Sequence, residues 1–321
     1  MTLVQLQYII AVARWQSFTI AAEKCFVTQP TLSMQVQKLE EELGVQIFDR
    51  NKKPVAVTPL GQKIVAQAAV TVGESMRIKD LIDQAKGSVS GEFHLGIIPS
   101  VMPSLLPLFL KTYTKRYPRV TLHLEELQTQ DMIQALKGRM IDAGIAATPL
   151  EENDIVESTL YYEPMVALVA QDSPLYAKKK IRPQDLADEQ LLLLENGHCF
   201  RNSVLNLCQE AHKNARQQRF RLSSGNFDTL IGLTKDGFGT TVLPYLTAMS
   251  LPPEDRHMIR EFQAPAPARQ ISLIRSAGQL RRKVSDSLEE TIRGIIRGMI
   301  LLEETKIIGP IEGQPSREIA L

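Results

Sequence analysis

Residues 28–44 read Thr-Gln-Pro-Thr-Leu-Ser-Met-Gln-Val-Gln-Lys-Leu-Glu-Glu-Glu-Leu-Gly, and this stretch predicts the central helix of an N-terminal domain. Thr28 is suited to cap a helix, Pro30 is tolerated in its first turn, and Gly44 is suited to end it. Apolar residues at helical spacing predict the buried face, which consists of Leu32, Val36, Leu39 and Leu43. We therefore expect one helix with an apolar side and a polar side.

Two shorter helices are predicted before this one by the same spacing. Their apolar stripes are Leu6, Ile9, Ile10 and Ala13 in the first, and Phe18, Ala21, Ala22 and Cys25 in the second. Three helices with tight breaks are typical of a helix-turn-helix domain, whose recognition helix enters the major groove with its N-terminus first. The residues expected to face double-stranded DNA are Gln29, Pro30, Thr31, Ser33, Gln37 and Lys38. Cys25 faces the small core and is interpreted as structural.

Residues 48–57, Phe-Asp-Arg-Asn-Lys-Lys-Pro-Val-Ala-Val, place a basic turn between two short apolar strands. This pattern predicts a wing beside the helices. Arg50, Lys52 and Lys53 are expected to contact phosphates, which position a protein on DNA without reading its sequence. Residues 1–60 are therefore predicted to form a winged helix-turn-helix DNA-binding domain.

Residues 58–87 continue without a break and carry a stripe of apolar residues at every fourth position. The stripe begins with Leu60, Ile64, Ala68, Val72 and Met76. A long helix attached to so small a domain is not expected to bury such a stripe alone, so the pattern predicts a dimer with a second copy of the chain. We assign residues 61–90 to this linker helix and a hinge, with Ser-Val-Ser-Gly at 88–91.

From residue 92 onward, short apolar runs alternate with helical patterns. Strands are predicted at 92–98, 120–125, 141–146 and 165–170, and helices at 102–117, 130–137 and 279–302. This order is typical of an α/β fold with doubly wound sheets, and we assign residues 91–303 to a regulatory domain. Residues 304–321 contain Gly309-Pro310 and Gly313-Gln314-Pro315 and are predicted to be a flexible tail.

The composition describes an ordinary soluble globular protein. The chain has 321 residues, a net charge of +1 and 44% apolar residues, which fits about two or three domains. The first residues lack the pattern of a signal peptide, and no apolar run approaches the roughly 18 residues of a membrane helix. Three cysteines in this length do not form a secreted disulfide framework. We therefore expect a cytoplasmic protein with reduced thiols and no membrane partner.

Two of the three cysteines lie within residues 196–208, Asn-Gly-His-Cys-Phe-Arg-Asn-Ser-Val-Leu-Asn-Leu-Cys. Cys199 is flanked by the cations His198 and Arg201 and is expected to precede a short amphipathic helix, capped by Asn202 or Ser203. Such a position favours the thiolate.

A disulfide between Cys199 and Cys208 requires a change of backbone. The bond needs Cα atoms within about 7 Å. Nine helical steps span roughly 13.5 Å, and nine extended steps span about 30 Å. A redox switch is therefore possible only if the segment refolds. Taken alone, these residues fit better a buried core thiol at Cys208 and an ordinary loop residue at Cys199.

Residues 1–65 resemble the winged-helix end of the LysR-type transcriptional regulators. The matching residues are Phe18, Ala21, Ala22, Gln29, Pro30, Ser33, Leu39, Glu40, Leu43, Gly44, Leu60 and Gly61. The similarity continues to about residue 298 and is closest to the peroxide-sensing members of that family. It includes the stretches 96–99, 128–129, 194–199 and 243–244. Gly-His-Cys followed by a cysteine nine positions later is the discriminating motif.

The resemblance implies a regulatory domain of two lobes, like a periplasmic binding protein. Lobe I would comprise residues 91–163 and 268–303, and lobe II residues 164–267. The chain would cross between them near 162–164 and near 263–270, where Pro265-Ala266-Pro267 fits a crossing.

The resemblance also implies a peroxide switch. Cys199 would be oxidised by hydrogen peroxide and Cys208 would resolve the product as a disulfide. Supporting residues would be Ser100, where the family usually has threonine, together with Thr129, His198 and Arg269. For His198 a satisfied structural histidine, and for Arg269 a surface ion pair, are equally compatible with the sequence.

The implied partners are promoter DNA, RNA polymerase, a thiol reductant and further copies of the chain. The linker helix would form a dimer, and the family implies a homotetramer. No cofactor and no metal are expected, and the protein would not be an enzyme. It would control oxidative-stress defence genes.

Three alternatives remain open on the sequence. A LysR-type regulator could respond to a small organic effector in the cleft between the lobes, with incidental cysteines. A thiol peroxidase would share the Cys199 chemistry but does not need residues 1–60. A solute-binding protein would have similar lobes but lacks the winged helix. The sequence shows no P-loop, no zinc-spaced Cys/His cluster and no Ser-His-Asp arrangement.

Overall fold

The computed structural model describes residues 1–85, 89–208, 222, 224–277, 282–300 and 304–319. The chain divides into two compact units, one comprising Met1–Ser88 with Gln134–Met140 and the other comprising the remaining residues. Among the described residues, no helix has the length and apolar character needed to span a membrane.

The first unit is a winged helix-turn-helix followed by a long helix, as the sequence predicts. Its elements are α1 Leu3–Trp15, α2 Phe18–Lys24, α3 Gln29–Leu43, β1 Phe48–Asp49, β2 Ala56–Val57 and α4 Pro59–Ala85. The Thr28 side chain accepts a hydrogen bond from the Thr31 N–H and caps α3, and Gly44 ends the helix with a φ of 68°. Strands β1 and β2 pair antiparallel and form the wing.

The apolar stripe of α4 is partly covered within its own unit. Ala68 and Val72 are 3% and 8% exposed and belong to the same core as α1 and α3. Leu60 is exposed, and the Met76 side chain lies outside the described residues. The premise that the whole stripe needs a second copy is therefore wrong for its first half, because α1 packs along α4. The dimer stays a prediction.

The second unit is built from strands and helices in alternation, which confirms the α/β class. Its strands are β3 Gly91–Ile97, β4 Val120–Glu126, β5 Ala143–Thr148, β6 Ile155–Leu168, β7 Lys180–Ile181, β8 Leu191–Leu192, β9 Thr240–Pro244, β10 Ile259–Phe262, β11 Ala266–Ser276, β12 Thr305–Ile307 and β13 Arg317–Ile319. Its helices are α5 Met102–Arg116, α6 Thr129–Lys137, α7 Cys199–Leu207, α8 Phe227–Lys235, α9 Tyr245–Met249 and α10 Arg282–Ile296. Short 3₁₀ turns lie at 174–177, 183–188 and 256–258.

The chain crosses twice between the lobes of this unit. Strand β6 pairs with β11 as far as Pro164, and from Met165 onward it pairs with β9 and β10. The chain returns between β10 and β11, at residues 263–265. On one side the sheet runs β4-β3-β5-β11-β6, with β3 parallel to both its neighbours. The other side holds β6 with β7 to β10 and the core that includes Cys208.

Strand β6 begins ten residues before the strand predicted at 165–170. Its first part carries polar side chains whose partners are distant in sequence. Ser158 donates to Glu289, and Glu163 accepts from Arg269. Because tertiary contacts satisfy these groups, the strand does not show the apolar run by which strands are recognised.

The prediction of a flexible tail from residue 304 is wrong for this structure. Strand β12 pairs parallel with β11, and β13 pairs antiparallel with β12. Ile307 and Ile308 are 5% and 3% exposed. The segment is thus part of the fold, because it extends a sheet and buries apolar side chains despite its Gly-Pro content.

Candidate redox site and DNA-facing surface

Helix α7 separates the two cysteines predicted to react, and both are free thiols. Cys199 is the first residue of the helix rather than the residue before it, and His198 is the N-cap residue. The expected caps are wrong: Asn202 lies inside the helix, and the Ser203 hydroxyl donates to the carbonyls of Cys199 and Gly309. Cys208 is the C-cap residue, so the intervening backbone is helical and the cysteines stand about 13.5 Å apart along its axis.

Two glycines explain the Gly-His-Cys motif. Gly197 has a φ of 97°, and a β-carbon there would lie 2.7 Å from Oε1 of Gln128. A β-carbon on Gly225 would lie 2.9 Å from Nε2 of His198. His198 is 6% exposed, with Nε2 3.9 Å from Oε1 of Glu195. A side chain at position 225 would therefore collide with the His198 ring, and the positive φ of the turn before Cys199 favours glycine at position 197.

Ser100 and Thr129 come from the carboxyl ends of β3 and β4, which are neighbouring parallel strands. Thr129 is the first residue of α6. Its hydroxyl is buried and lacks a hydrogen-bond partner of ordinary geometry among the described residues, although it lies close enough to Cys199 to stabilise a thiolate. The structure thus brings the hydroxyl of Thr129 to the sulfur of Cys199, two residues that are remote in sequence.

Arg269 forms a buried ion pair rather than a surface one. It is 1% exposed, as is Glu163, and the two residues face each other on paired strands. Nε and Nη2 donate to Oε2 of Glu163 at 2.9 and 2.7 Å. Nη1 donates to the hydroxyl of Ser100 at 2.8 Å, and Nη2 donates to its carbonyl at 3.0 Å. The guanidinium also lies 5.0 Å from the centre of the Phe200 ring.

The pKa of the Cys199 thiol is raised, and burial is the largest cause. The charge of Arg269, the Thr129 hydroxyl and the backbone N–H groups of Cys199 and Phe200 each act in the opposite direction. The expectation of a lowered pKa is therefore wrong, because desolvation outweighs the cation and the helix N-terminus. Of the predicted cations, Arg201 donates instead to the carbonyl of Leu194 at 2.9 Å, and the positive charge that acts on the sulfur is that of Arg269.

Cys208 lies in a different environment. It is 4% exposed in an apolar core that includes Val204 and Ile308. Burial alone raises the pKa of its thiol to about 12. At neutral pH it is therefore a protonated thiol, suited to act after Cys199 rather than before it.

Sequence reasoning missed two polar residues on β6. Glu163 neutralises Arg269, and its other carboxylate oxygen accepts from the N–H of Leu246 at 3.0 Å. The Tyr161 hydroxyl is buried without a partner among the described residues, and burial together with the Glu163 charge raises its pKa well above the ordinary value. In the sequence, only the position of Glu163 at the predicted first crossing could have indicated that this residue belongs to the site.

A histidine pair lies on the exposed face of β3 and β4. His94 and His123 are register partners, and their rings stack at 4.4 Å. With Glu92 they place donor atoms within 4.8 Å of one another. Tetrahedral zinc with bonds of about 2.0–2.1 Å requires donors roughly 3.3 Å apart. The donor separations have an upper limit of 4.8 Å, which does not decide whether the group binds a metal, so the expected absence of a metal stays a prediction.

The predicted DNA-facing residues lie on the exposed side of α3. Gln29, Pro30, Thr31, Gln37 and Lys38 are exposed there. The Thr31 and Thr28 hydroxyls are 2.8 Å apart, and the Gln37 amide donates to Glu41 at 2.9 Å.

The wing is tied to α3 by Arg50. Its guanidinium donates to the Ser33 hydroxyl at 3.1 Å and to the Glu40 carboxylate at 3.0 Å, and it lies 4.8 Å from the centre of the Phe18 ring. Glu40 in turn accepts from the backbone N–H of Ile47 at 2.7 Å. Arg50 therefore fixes the angle between wing and helix, while Lys52 and Lys53 lie exposed at the tip.

Comparison with known proteins places both units in one family. Residues 3–62 match the bacterial regulatory helix-turn-helix of the lysR family, and residues 86–294 match the LysR substrate binding domain. The chain is 34% identical over 301 residues to the DNA-binding transcriptional dual regulator OxyR of Escherichia coli K12, which covers 93% of this chain and 97% of the relative.

Solved structures are similar over most of the chain. A full-length OxyR of Pseudomonas aeruginosa with a cysteine replaced by aspartate has a TM-score of 0.74 at 35% identity, covering 91% of this chain and 98% of that one. A cysteine-to-serine mutant of Corynebacterium glutamicum OxyR with hydrogen peroxide bound has a TM-score of 0.63 at 27% identity, covering 94% and 97%.

Proposed function

Because this chain belongs to the LysR family of bacterial transcriptional regulators, we propose that it is a DNA-binding regulator that senses hydrogen peroxide through a reversible Cys199–Cys208 disulfide. The observation that carries the proposal is the surroundings of Cys199. A buried cation, an unpartnered hydroxyl and a helix N-terminus all act on this one sulfur, whereas none of them acts on Cys208. The relatives named OxyR over nearly the whole chain support the same assignment.

The first step is oxidation of Cys199. The thiolate sulfur attacks one peroxide oxygen, the O–O bond breaks, and the leaving hydroxide takes a proton to form water. Cys199 is then a sulfenic acid. The hydroxyl of Thr129 is placed to bond the peroxide and to donate to the leaving oxygen. Arg269 stabilises the thiolate and holds Ser100 in position.

The second step is formation of the disulfide. The Cys208 thiol attacks the sulfenic sulfur, the S–O bond breaks, and the hydroxyl leaves as water with the thiol proton. Since Cα atoms must approach within about 7 Å, helix α7 has to unwind. A dithiol reductant restores both thiols and allows the helix to form again. The chain is thus a sensor with a reset rather than an enzyme.

The DNA-binding part follows from the first unit. The exposed side of α3 reads base edges with Gln29, Ser33 and Gln37, and Arg50, Lys52 and Lys53 contact phosphates. A dimer through α4, assembled into a homotetramer, binds promoter DNA in the cytoplasm. Refolding of α7 changes the packing between copies and thereby the spacing of the DNA-binding units. Contact with RNA polymerase then controls oxidative-stress defence genes.

The test joins the thiol chemistry to DNA contacts in the same samples. The mass of the linked peptides containing Cys199 and Cys208 is measured before and after stoichiometric peroxide, with footprinting in parallel. We expect the disulfide and a changed footprint together. Cys199→Ser should abolish both, and Cys25→Ser, which removes the third cysteine, should change neither. A footprint that shifts in the Cys199→Ser variant would reject the proposal, and one that shifts only with an added organic molecule would favour a ligand between the lobes.

A further inference from the structure

Residues 304–319, here named the C-terminal clasp, lie against the strand that carries Arg269. The Ala266 N–H donates to the carbonyl of Glu304 at 2.9 Å, and the Ile308 N–H donates to the carbonyl of Ala268 at 2.8 Å. Between these bonds β12 pairs in parallel with β11. The beginning of the clasp is therefore anchored firmly to lobe I.

Beyond this anchor the clasp bonds to helix α7. The side-chain amide of Asn206 donates to the carbonyls of Gly309 and Ile311 at 3.1 and 2.7 Å. Its oxygen accepts from the N–H of Gly313 at 2.9 Å. One turn earlier in the helix, the buried Ser203 hydroxyl donates to the carbonyl of Gly309 at 3.1 Å. A single helical residue thus uses both ends of its amide to hold the clasp.

Apolar contacts reinforce these bonds on the Cys208 side. Ile308 is 3% exposed and belongs to the same core as Cys208. A cavity of about 320 Å³ adjoins Cys208, and clasp residues Lys306, Ile308 and Ser316 form part of its wall. The clasp therefore bounds the space next to the second cysteine.

These contacts fit only the helical form of α7. Asn206 lies two residues before Cys208. The helix holds the cysteines about 13.5 Å apart, so Cys208 cannot reach Cys199 unless the residues between them move. Movement of Asn206 breaks its bonds to the clasp. The bonds consequently stabilise the dithiol form and are lost in the disulfide form.

We propose that the C-terminal clasp sets the oxidant threshold of the switch, with Asn206 as the positioning residue that couples it to α7. The inference rests on the proposed function, since it concerns the same disulfide. By holding the helix, the clasp makes the reduction potential of the Cys199–Cys208 couple less negative. It also slows the attack of Cys208 on the sulfenic acid, while it leaves the oxidation of Cys199 by peroxide unchanged.

The experiment compares Asn206→Ala with Asn202→Ala in the full-length protein. Both variants make the same change in the same helix, but of the two side chains only Asn206 hydrogen-bonds to the clasp within the part of the chain that the structure describes. The disulfide fraction is titrated in dithiothreitol buffers. A net hydrogen bond shifts an equilibrium by roughly fivefold. We expect Asn206→Ala to shift the dithiol–disulfide equilibrium towards the disulfide by about ten- to a hundredfold. This shift makes the reduction potential of the Cys199–Cys208 couple about 30 to 60 mV more negative. Asn202→Ala should have the same reduction potential as the wild type.

A second variant loosens the clasp without changing any residue of α7. Gly313 has a φ of 79°, and a β-carbon there meets nothing within 4 Å. Gly313→Ala therefore strains only the backbone of the clasp. We expect Gly313→Ala to shift the dithiol–disulfide equilibrium towards the disulfide as well, but only by a few-fold. Stopped-flow measurements should show faster disulfide formation in both variants and an unchanged rate of sulfenic acid formation.

Two negative results have different meanings. If the wild type forms no Cys199–Cys208 disulfide, the proposed function fails. If the wild type forms it, but folded Asn206→Ala and Gly313→Ala both titrate like Asn202→Ala, the clasp has no role in the threshold. Equal acceleration of both oxidation steps would also contradict the inference, because it would indicate general loosening of the site.

Discussion

The two ends of helix α7 hold the same functional group in opposite surroundings. At its start, Cys199 is buried beside a cation, a hydroxyl and two backbone N–H groups that all oppose the rise of its thiol pKa. At its end, Cys208 is buried among apolar side chains, and none of the described residues opposes the rise of its pKa to about 12. Burial alone therefore does not make a thiol inert or reactive. What decides is whether groups that favour the thiolate are buried with it.

This contrast assigns the order of the chemistry. Among the described residues, groups able to support an anionic sulfur lie beside Cys199 and not beside Cys208. In the proposed mechanism, Cys208 remains a neutral thiol until α7 unwinds. Changes at either end of the helix should therefore have different effects.

The first prediction concerns the loss of each sulfur. Cys208→Ser should still be oxidised by peroxide and should stop at the sulfenic acid, which dimedone traps at Cys199. Cys199→Ser should give no dimedone adduct at Cys208, because none of the described residues around that thiol favours its ionisation. Mass spectrometry of the labelled peptides measures the dimedone adduct in both variants. An adduct at Cys208 in the Cys199→Ser variant would remove the distinction between the two ends.

The second prediction separates stability from reactivity at the Cys199 end. Arg269→Gln leaves Glu163 buried without its partner and should lower the free energy of unfolding by about 3–5 kcal/mol. It should also slow sulfenic acid formation by about tenfold or more, because the thiolate loses its cation.

The matched control is the double variant Arg269→Gln with Glu163→Gln. It buries no unpaired charge, so most of the stability should return. The oxidation rate should stay low, because the guanidinium is still missing. Denaturant unfolding and stopped-flow oxidation measure the two quantities. Recovery of the rate along with the stability would show that Arg269 acts only through the fold.

The third prediction follows from the raised thiol pKa values. The reactive form is the thiolate, so oxidation of Cys199 should accelerate by about tenfold per pH unit between pH 6 and 8. A plateau within this range would contradict a raised pKa. The free energy of unfolding, by contrast, should fall as pH rises.

The folded protein holds both thiols neutral, because their pKa values are raised. Their contribution to the free energy of unfolding is therefore complete below the unfolded thiol pKa of about 8.5. It is lost as pH rises towards the pKa values of the folded protein.

The fourth prediction concerns Thr129 and has the smallest expected effect on stability. Thr129→Val keeps the shape of the side chain and removes a hydroxyl that has no ordinary hydrogen-bond partner among the described residues. The free energy of unfolding should therefore change by less than about 1 kcal/mol. Oxidation of Cys199 should slow by about tenfold, because the peroxide loses a donor. Thermal unfolding and peroxide kinetics on the same variant provide the check, and an unchanged rate would exclude Thr129 from the site.

Local patterns were sufficient for the first unit. Thr28, Gly44 and the stripe of Leu32, Val36 and Leu39 act over distances of a few residues, so capping and helical periodicity alone predict α3. The alternating order of strands and helices likewise predicted the α/β class. The motif around Cys199 indicated redox chemistry only through its resemblance to the peroxide-sensing LysR-type regulators, and the pKa of this thiol did not follow from the residues beside it.

The surroundings of each sulfur depend on contacts between segments that are remote in the sequence. Arg269 and Glu163 are separated by 106 positions and meet because β6 and β11 pair across the first crossing. The clasp reaches Asn206 from more than 100 positions away. Desolvation, ion pairing and the closure of the clasp depend on which distant segments pack together. The sequence determined the elements and named the cysteines, whereas the packing of remote strands determined their pKa values and what must break before they can join.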